Sequence, residues 1–497
     1  MSIRSEKAIT MDGETSMQGE RIEVRNPRTG VVDYFFHAPS AEQLTEMARH
    51  LRLAQKPWTG RPLVERIAVL QRFKAELVAR RDAIVGNLSV DTGRYAITVG
   101  EYGSLVGAID RWSRLAPDLA KTSEGQSTVH PTISYRSQYV PYALVGVISP
   151  WNFPLTLAFI DAIPALLAGC AVLMKPSEVT PRFAAPVREA IMAVPELAAV
   201  LQMWPGAGAT GAQLVSLTDV ICFTGSVRTG RLVAENAAKH FVPAFLELGG
   251  NDPVIVTATA DLDRAADIVL RASVLATGQA CQSLERVYVD RKIYQPFVDR
   301  LTTRALKVDT NWPDIHRGTS GPFIFGKQAD IVAAQIADAV AKGARVLTGG
   351  QVEDHGGKWL RPTVLVDVNH SMSVMTEETF GPVMPIMAYD SVDEAIDLAN
   401  EGVYGLSAAV IAGTLAEAEA IGLRLDAGGV SLNDGSLTGV MNEAEKNSFK
   451  LSGMGGSRMG PAGYLRFFRK KALIRQNGAP LTLEMMSENT AAPAAAG

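Results

Sequence analysis

The sequence contains little cysteine, little net charge and few uninterrupted apolar runs. Only 3 of its 497 residues are cysteine, too few for a disulfide framework, and neither a Cys-x-x-Cys pair nor a close histidine indicates a metal site. A formal net charge of −4 provides no basic field that would gather nucleic acid. We therefore expect a reducing, cytoplasmic compartment, no metal and no nucleic-acid partner, which leaves small molecules as candidate ligands.

No segment of the sequence has the pattern of a membrane span or a secretory signal. The most apolar run, residues 155–174, is long enough to cross a bilayer, but Asp161 and Pro164 interrupt it. Residues 1–24 mix charges of both signs and lack the continuous apolar core of a secretory signal. We expect no membrane partner, and we interpret the apolar run as a buried helix followed by a buried strand.

After residue 141 the sequence alternates short β-branched runs with stretches of helical periodicity. This pattern is typical of an α/β fold in which helices cover a parallel sheet. The predicted buried strands comprise residues 143–149, 168–176, 220–226 and 252–258. Residues 127–145 alternate polar and apolar side chains, and residues 464–476 are aromatic and basic. Both segments are therefore predicted to form antiparallel strands that need a partner sheet.

One of the three cysteines differs from the other two in its surroundings. Cys170 and Cys222 lie in apolar, strand-like segments, where a thiol acts as a small hydrophobe. Cys281 follows the small and amide-bearing residues ATGQA, so it is a candidate nucleophile, although a lone cysteine is more often inert. Glu247, before two glycines, is a candidate base whose pKa burial would raise toward neutrality. A capping or salt-bridged carboxylate is the alternative for Glu247.

Six short motifs follow one another between residues 147 and 382. They are VISPWNFPL (147–155), KPSE (175–178), FTGS (223–226), ELGG (247–250), GQAC (278–281) and ETFGP (378–382). Each motif alone is weak, but their joint occurrence in this order is specific. On these residues the sequence resembles the aldehyde dehydrogenase superfamily, and the resemblance covers nearly the whole chain. It implies an NAD-dependent enzyme that oxidises an aldehyde to a carboxylic acid.

The resemblance implies a role for each catalytic side chain. Cys281 matches the family's nucleophilic thiol, which attacks the aldehyde carbonyl and forms a thiohemiacetal. Asn152 matches the side chain that donates, together with the backbone N–H of Cys281, to the oxyanion. Glu247 matches the base that activates water against the resulting thioester, so the implied product is a free acid and not an acyl-CoA. Lys175 completes the implied catalytic set.

The dinucleotide site has two candidate phosphate-binding turns. Residues 206–211 form a literal G-x-G-x-x-G, but they follow a Trp-Pro pair instead of a convincing strand. Residues 223–230 fit better because they join a predicted strand to a predicted helix, whose N-terminus offers N–H groups. We assign the phosphates to Gly225 and Ser226 and interpret the G-x-G-x-x-G glycines as a nearby loop.

The resemblance extends to both ribose sites of the cofactor. Lys175 and Glu178 match contacts to the adenine-side ribose, and the Glu178 carboxylate is expected to disfavour the 2′-phosphate of NADP. Glu378 and Phe380 resemble the pair that holds the nicotinamide ribose and packs beside the ring; taken alone, they would suit a capped turn equally well. The full cofactor set comprises Ser149, Pro150, Trp151, Asn152, Lys175, Ser177, Glu178, Gly208, Gly211, Phe223, Thr224, Gly225, Ser226, Thr229, Leu248, Gly249, Glu378 and Phe380.

The resemblance also implies a division into three structural units. A Rossmann-like NAD-binding domain is expected over residues 1–123 and 141–246, and an α/β catalytic thiol domain over residues 247–440. A small antiparallel β oligomerisation arm is expected over residues 124–140 and 461–485. Such arms pair across subunits and bury strand edges that a monomer would expose, so we expect a homodimer or homotetramer.

The substrate is the least determined feature of the sequence. Residues 445–453, EKNSFKLSG, lack the proline and paired glycines that most relatives carry in a loop at the substrate entrance. With Trp151, Phe153 and Leu155 near the nucleophile by resemblance, an apolar or aromatic aldehyde is expected.

Two alternatives remain open for the function. A semialdehyde dehydrogenase would need a cation such as Arg111, Arg114 or Arg286 facing Cys281. A non-catalytic structural or binding relative would be expected to have lost Cys281 or Glu247, and the sequence retains both.

Overall fold

The computed structural model describes residues 19–488. Residues 1–18, the start of the expected first domain, lie outside the described residues. Among the described residues, three larger β-sheets and their covering helices form the molecule. The fold is α/β, as the alternation of strand-like and helical stretches predicts.

The first sheet has six strands. Their spatial order is Gly453–Met454, Ala244–Glu247, Val220–Thr224, Leu144–Ile148, Ala171–Lys175 and Leu201–Met203. All pairs are parallel except the edge pair, in which Gly453 lies opposite Glu247. The strand order reverses between 144–148 and 220–224, and a sheet of this type binds its ligand outside the carboxyl ends of the strands at such a reversal. This edge of the first sheet is therefore the expected cofactor crevice.

The second sheet has seven strands. Their spatial order is Arg345–Thr348, Thr363–Val366, Val383–Tyr389, Leu284–Asp290, Asp252–Val256, Ser407–Ile411 and Gly429–Leu432. Only the edge strand Arg345–Thr348 is antiparallel to its neighbour. The strand that begins at Leu284 lies at the centre of this sheet, so the Cys281 turn that precedes it has a rigid support.

The third sheet is a ribbon of three antiparallel strands, Phe468–Gln476, Ile133–Pro141 and Glu124–Gln126. Phe468 lies opposite Pro141 and Gln476 opposite Ile133. Apolar side chains remain exposed on it, with Ile474 exposed to 72% of its surface. The ribbon therefore leaves apolar surface uncovered in the single chain.

Helices cover both faces of the two parallel sheets. The α-helices are Ala41–Gly60, Leu63–Ala79, Arg81–Thr92, Tyr95–Leu119, Pro154–Ala168, Ala184–Met192, Pro195–Ala198, Gly208–Leu217, Val227–Lys239, Leu262–Val274, Tyr294–Ala305, Gly326–Ala341, Val392–Asn400, Leu415–Gly422 and Ala462–Leu465. Short 3-10 helices are Leu275–Gly278, Arg291–Ile293, Ser373–Met375, Leu437–Gly439 and Glu484–Met486. Three small strand pairs are Arg21–Arg25 with Val32–His37, Val352–Asp354 with Lys358–Leu360, and Tyr404–Gly405 with Phe449–Lys450.

The apolar run 155–174 forms a buried helix and a buried strand, as predicted. The helix Pro154–Ala168 ends at Gly169, whose φ of 101° suits glycine, and the strand Ala171–Lys175 follows. No helix within residues 19–488 is long and apolar enough to cross a membrane. Asp161, the charge that interrupts the run, pairs with Arg466 of the C-terminal segment. This ion pair joins the buried helix to a segment far along the chain.

The Asp161–Arg466 pair provides a test of how the C-terminal segment is held. The two side chains are only 6% and 5% exposed, so Arg466→Met leaves a buried carboxylate without its counter-ion. We expect a loss of about 3–5 kcal/mol in the free energy of unfolding, measured by urea denaturation at fixed protein concentration. The double variant Asp161→Leu/Arg466→Met should recover most of this loss. As a matched control, Arg291→Met removes an exposed pair with Asp390 and should cost less than about 1 kcal/mol.

Candidate active site

Cys281 is presented by a strained turn that follows the helix Leu262–Val274. Ala276, Thr277 and Gly278 adopt positive φ angles of 58°, 62° and 66° in succession. Left-handed backbone at a non-glycine residue costs of order 1–3 kcal/mol and persists only where the surroundings enforce it. At Gly278 a Cβ atom would lie 2.2 Å from the Gly381 carbonyl oxygen, so glycine is required there. The turn is therefore rigid immediately before the nucleophile.

Two side chains bind this turn to residues 321–324. Thr277 donates its hydroxyl to the Gly321 carbonyl at 3.0 Å. Gln279 donates its side-chain amide to the Pro322 carbonyl at 3.1 Å and accepts from the backbone N–H of Ile324 at 2.9 Å. These bonds replace the regular helical bonds that the strained backbone lacks.

Asn152 binds the same turn from the first sheet. Its side-chain amide donates to the Gln279 carbonyl at 3.0 Å, and the residue is only 4% exposed. Because an amide nitrogen carries two hydrogens, the second remains available to a substrate oxygen. Arg94 donates both to the Asn152 carbonyl and, at 3.1 Å, to the Ala276 carbonyl. The predicted oxyanion donor thus lies beside the turn that ends at Cys281.

The ELGG, GQAC and ETFGP motifs meet at the Gly249-Gly250 turn. A Cβ atom on Gly250 would lie 2.9 Å from the Cys281 carbonyl oxygen, and one on Gly249 would lie 2.2 Å from Glu378 Oε2. The Gly250 N–H donates to Glu378 Oε1 at 3.1 Å. A Cβ atom at Gly249 would displace the Glu378 carboxylate, and one at Gly250 would press on the Cys281 backbone. This close approach brings the segment after Glu247 against the nucleophile turn.

Glu247 ends the strand Ala244–Glu247, but the predicted rise of its pKa is wrong. Burial by itself would raise the pKa of its carboxyl, yet the charges of Arg458 and Lys446 and a hydrogen bond from Ser448 hold this pKa below its ordinary value. Glu247 Oε1 lies 3.5 Å from Arg458 Nε, and Oε2 accepts from the Ser448 hydroxyl at 2.8 Å. The salt-bridged alternative for this carboxylate is the arrangement that the structure has.

The Cys281 thiol has the opposite electrostatic character. The residue as a whole is partly exposed. Burial of the thiol raises its pKa to about 12, with Asp252 and Glu378 adding to the effect and Arg458 and Lys446 opposing it. At neutral pH the thiol is therefore protonated in this arrangement, so attack on a carbonyl requires removal of its proton.

Glu285 organises the loop that carries Glu378 and Phe380, and the sequence analysis missed it. Its carboxylate accepts the backbone N–H groups of Thr379 at 2.8 Å and Phe380 at 2.7 Å. It is 2% exposed, and burial raises its pKa well above the ordinary value. Burial likewise raises the pKa of Glu378 to about 7. The adjacent charges of Glu285 and Arg286 at the start of the strand LERVYVD, before the apolar residues 287–289, were the signal that could have identified Glu285.

The predicted phosphate turn has the expected geometry. Phe223 and Thr224 end a buried strand, Gly225 turns the chain, and the Ser226 hydroxyl caps the helix Val227–Lys239 by accepting from the Thr229 N–H at 3.3 Å. The helix N-terminus thus faces the crevice at the strand reversal, where an anion is favoured.

The neighbouring strand end carries Ser149, Pro150 and Trp151. The Ser149 hydroxyl is buried and has no hydrogen-bond partner within residues 19–488. An unpaired buried hydroxyl in a crevice beside a helix N-terminus suits a polar ligand, because binding would satisfy it. The donor set therefore fits a dinucleotide.

The G-x-G-x-x-G segment differs from its prediction as a loop. A short strand, Leu201–Met203, precedes it, and Gly208 and Gly211 lie in the first turn of the helix Gly208–Leu217. Nothing lies within 4 Å of a Cβ atom built on Gly208, so this helix start borders open space. The strand was not recognised because it is only three residues long and is followed at once by the Trp-Pro pair.

Lys175 and Glu178 lie at the end of the adjacent strand. The Lys175 ammonium donates to the Gly206 carbonyl at 2.5 Å and lies 3.4 Å from Glu178 Oε2, and the Ser177 hydroxyl donates to the same oxygen at 3.4 Å. Lys175 is 7% exposed and its pKa is lowered by burial. The Lys175 ammonium therefore binds the Gly206 carbonyl and lies beside the Glu178 carboxylate.

Aromatic side chains border the crevice near Cys281. The Trp151 ring lies edge-to-face on Phe380 at 5.4 Å between centroids and also contacts Phe325 at 6.0 Å. Phe380 has a φ of 52°, which the Glu285 carboxylate enforces by binding its N–H. Leu248 is buried and packs toward Gly230 of the phosphate-turn helix.

The three arginines considered for a substrate carboxylate differ in their surroundings. Arg286 donates to the carbonyls of Asn251, Leu398, Glu401 and Ala399, so its guanidinium is bound to the backbone. Arg111 lies over Trp112, and Arg114 is exposed. The cations whose charge acts on the Cys281 thiol are instead Arg458 and Lys446.

Known proteins of similar sequence and structure agree with this geometry. The chain matches the aldehyde dehydrogenase family over residues 14–473. A Mycobacterium bovis protein with the provisional name of a succinate-semialdehyde dehydrogenase, NADP(+), is 35% identical over 428 residues, which are 85% of this chain and 82% of that one.

Two solved structures are similar over nearly the whole chain. The aldehyde dehydrogenase PutA of Anabaena variabilis has a TM-score of 0.91 at 49% identity and covers 93% of this chain and 99% of its own. A Mycobacterium tuberculosis aldehyde dehydrogenase complexed with NAD+ has a TM-score of 0.86 at 30% identity, covering 93% and 96%. This chain therefore belongs to the aldehyde dehydrogenase family and is an oxidoreductase that acts on aldehydes.

Proposed function

We propose that the protein oxidises an aldehyde to the free carboxylic acid, with NAD as the hydride acceptor. The observation that carries this proposal is the convergence of three elements: the Cys281 turn, the Asn152 amide bound to it, and the Gly250 turn that follows Glu247. A nucleophile, an oxyanion donor and a base are the three groups that acyl chemistry on a thiol needs.

In the first half-reaction the Cys281 sulfur attacks the aldehyde carbon and forms a C–S bond. Because the pKa of the thiol is raised to about 12, its proton must pass to a solvent water molecule as the bond forms. The second hydrogen of the Asn152 amide and the Cys281 N–H donate to the resulting oxyanion. NAD, when bound, supplies the acceptor for the hydride that leaves the same carbon. This half-reaction leaves a thioester on Cys281.

In the second half-reaction Glu247 accepts a proton from the water that attacks the thioester. A carboxyl whose pKa lies below its ordinary value is ionised at neutral pH, so this base is ready to accept a proton. Loss of the thiolate then releases the acid and regenerates Cys281. Retention of Glu247 supports hydrolysis over transfer to coenzyme A.

The cofactor would be held at the carboxyl ends of three parallel strands of the first sheet. Gly225 and Ser226 would bind the phosphates at the helix N-terminus, Glu178 the adenine-side ribose, and Glu378 the nicotinamide ribose. The remaining cofactor set would be Ser149, Pro150, Trp151, Asn152, Lys175, Ser177, Gly208, Gly211, Phe223, Thr224, Thr229, Leu248, Gly249 and Phe380.

For the substrate, an apolar or aromatic aldehyde is the first candidate. The Phe153 ring lies under the guanidinium of Arg94, which also donates to the Ala276 carbonyl of the Cys281 turn, and the Arg286 guanidinium is bound by backbone carbonyls. A short semialdehyde is the second candidate, which the mycobacterial relative's name favours. A non-catalytic relative is the least supported alternative, because it would not need the Glu247 contacts.

The ribbon strands are proposed to act as an oligomerisation arm in a homodimer or homotetramer. The exposed apolar side chains Leu473 and Ile474 support a partner for this surface. The three cysteines are free thiols, which suits a reducing cytoplasm.

Replacement of the nucleophile is the direct test of the chemistry. Cys281→Ala should lower the rate of aldehyde oxidation, followed by absorbance of reduced cofactor, by at least about 10³-fold because no other group can form the thioester. Cys170→Ala and Cys222→Ala serve as matched controls and should stay active, since both thiols are buried in the first sheet. A near wild-type rate in Cys281→Ala, with unchanged circular dichroism, would refute the thiol mechanism.

The two substrate candidates differ in charge and can be compared in one assay. We expect a higher specificity constant, kcat/KM, for benzaldehyde than for succinic semialdehyde, because the Phe153 ring lies near the Cys281 turn and Arg286 is bound by backbone carbonyls. Initial rates with both aldehydes at saturating cofactor measure the ratio. A markedly higher value for succinic semialdehyde would favour the semialdehyde alternative.

Cofactor choice is expected to depend on Glu178. The 2′-phosphate of NADP would bring like charge against the Glu178 carboxylate. At intermediate dielectric this repulsion amounts to roughly a few kcal/mol, and Lys175 offsets part of it. The specificity constant for NAD should therefore exceed that for NADP by at least about tenfold. Glu178→Gln should shrink this ratio, as initial rates with both cofactors would show. Equal use of NADP by the wild type, or an unchanged ratio in the variant, would assign cofactor choice to another residue.

A further inference from the structure

Arg458 lies in a glycine-rich turn that closes over the base. It follows the strand Gly453–Met454, which pairs antiparallel with Leu246 and Glu247 at the edge of the first sheet. Gly455 and Gly460 adopt positive φ angles of 101° and 57° on either side of it. The backbone of this turn therefore returns toward the sheet and delivers the Arg458 side chain to the active site.

The guanidinium of Arg458 contacts the base and the cofactor turn together. Its Nε lies 3.5 Å from Glu247 Oε1, and its Nη2 donates to the Thr224 hydroxyl at 3.1 Å. Its Nη1 is buried and has no hydrogen-bond partner among the described residues, and the side chain is only 10% exposed. A buried guanidinium with so few neutral partners depends on the Glu247 carboxylate for its charge compensation.

The other groups around the Glu247 carboxylate leave Arg458 as its principal counter-ion. Ser448 is neutral and donates to Oε2 at 2.8 Å. Lys446 acts through its charge from the same C-terminal segment. Arg466 also acts on Glu247, but its guanidinium is paired with Asp161. Of the four groups, only Arg458 forms an ion pair with the base.

We propose that Arg458 is a positioning residue for hydrolysis: it holds the Glu247 carboxylate ionised and oriented, and it ties the base to the cofactor turn through Thr224. The inference rests on the proposed role of Glu247 as the base. Glu247 Oε1 pairs with Arg458 and Oε2 accepts a hydrogen bond from Ser448, so the carboxylate has one defined orientation toward the Gly250 turn. That turn lies against Cys281. Without Arg458 the base would lose both its orientation and its counter-ion.

The pH dependence has a defined sign. Arg458 lowers the pKa of Glu247, so Arg458→Met raises it, and the fraction of ionised base at mildly acidic pH falls. Hydrolysis of an acylated Cys281 should then lose rate at higher pH than in the wild type. Arg458→Lys keeps the charge and should leave the acid limb close to its original position.

Hydrolysis can be isolated without any cofactor by acylating Cys281 with p-nitrophenyl acetate. The burst of nitrophenolate reports acylation, and the steady phase reports hydrolysis of the acyl-enzyme. We expect Glu247→Gln to slow the steady phase by about 10²-fold or more. Arg458→Met should slow it by about tenfold and move the acid limb to higher pH. The burst should keep its amplitude but form more slowly, because Arg458 also favours the thiolate form of Cys281.

A double-mutant cycle separates positioning from a merely structural effect. In the Glu247→Gln background, Arg458→Met should change the steady phase by less than about twofold, because Arg458 acts through the base. Arg466→Met is the matched control: it removes a buried cation from the same segment, and it should lower thermal stability while moving the acid limb less than Arg458→Met.

The role of Arg458 and the role of Glu247 are tested by different outcomes. A full tenfold loss from Arg458→Met in the Glu247→Gln background, or an acid limb that does not move, would overturn the positioning role. If Glu247→Gln itself left the steady phase unchanged, the proposed base would be wrong instead. If Arg458→Met fails to fold, the Arg458→Lys variant decides: a limb shifted as far as in Arg466→Met, or farther, contradicts the inference.

Discussion

The strained turn at residues 276–278 is the constraint on which the active site depends. Three successive left-handed residues are unfavourable, and the turn persists because Arg94, Asn152 and Gln279 bind its carbonyls and its neighbours. The bonds come from Arg94 before the helix Tyr95–Leu119, from Asn152 after a strand of the first sheet, and from residues 321–324. These three segments therefore determine together where the Cys281 sulfur lies, and a shift of any of them would misplace it.

The pKa values of the two reacting groups, the Cys281 thiol and the Glu247 carboxyl, are shifted in opposite directions. Burial raises the pKa of the Cys281 thiol to about 12, whereas Arg458 and Lys446 hold the pKa of Glu247 below its ordinary value. The thiol thus rests in its neutral form and the base in its ionised form. Glu378, whose pKa is raised to about 7 by burial, lies against the glycine turn between them. One segment of the chain, residues 446–458, supplies the cations for both groups.

Local pattern predicted the elements that local forces stabilise. Strand runs such as 220–226, the Ser226 cap and the helix from Val227 follow from periodicity and capping chemistry, and the structure confirms them. The G-x-G-x-x-G interpretation failed because the preceding strand, Leu201–Met203, is too short to show alternation. The pKa of Glu247 was predicted in the wrong direction because its counter-ion, Arg458, is far along the chain and carries no local signal.

The sequence by itself determined the α/β class and, through the order of its motifs, the family and the identity of the candidate nucleophile. These depend on side-chain periodicity and residue type, which a single chain displays directly. Only the tertiary structure decided the protonation states and the partners: Arg458 on Glu247, Glu285 on the loop of Glu378, and Arg466 on Asp161. Charge interactions act across space between residues distant in sequence, so no local pattern contains them.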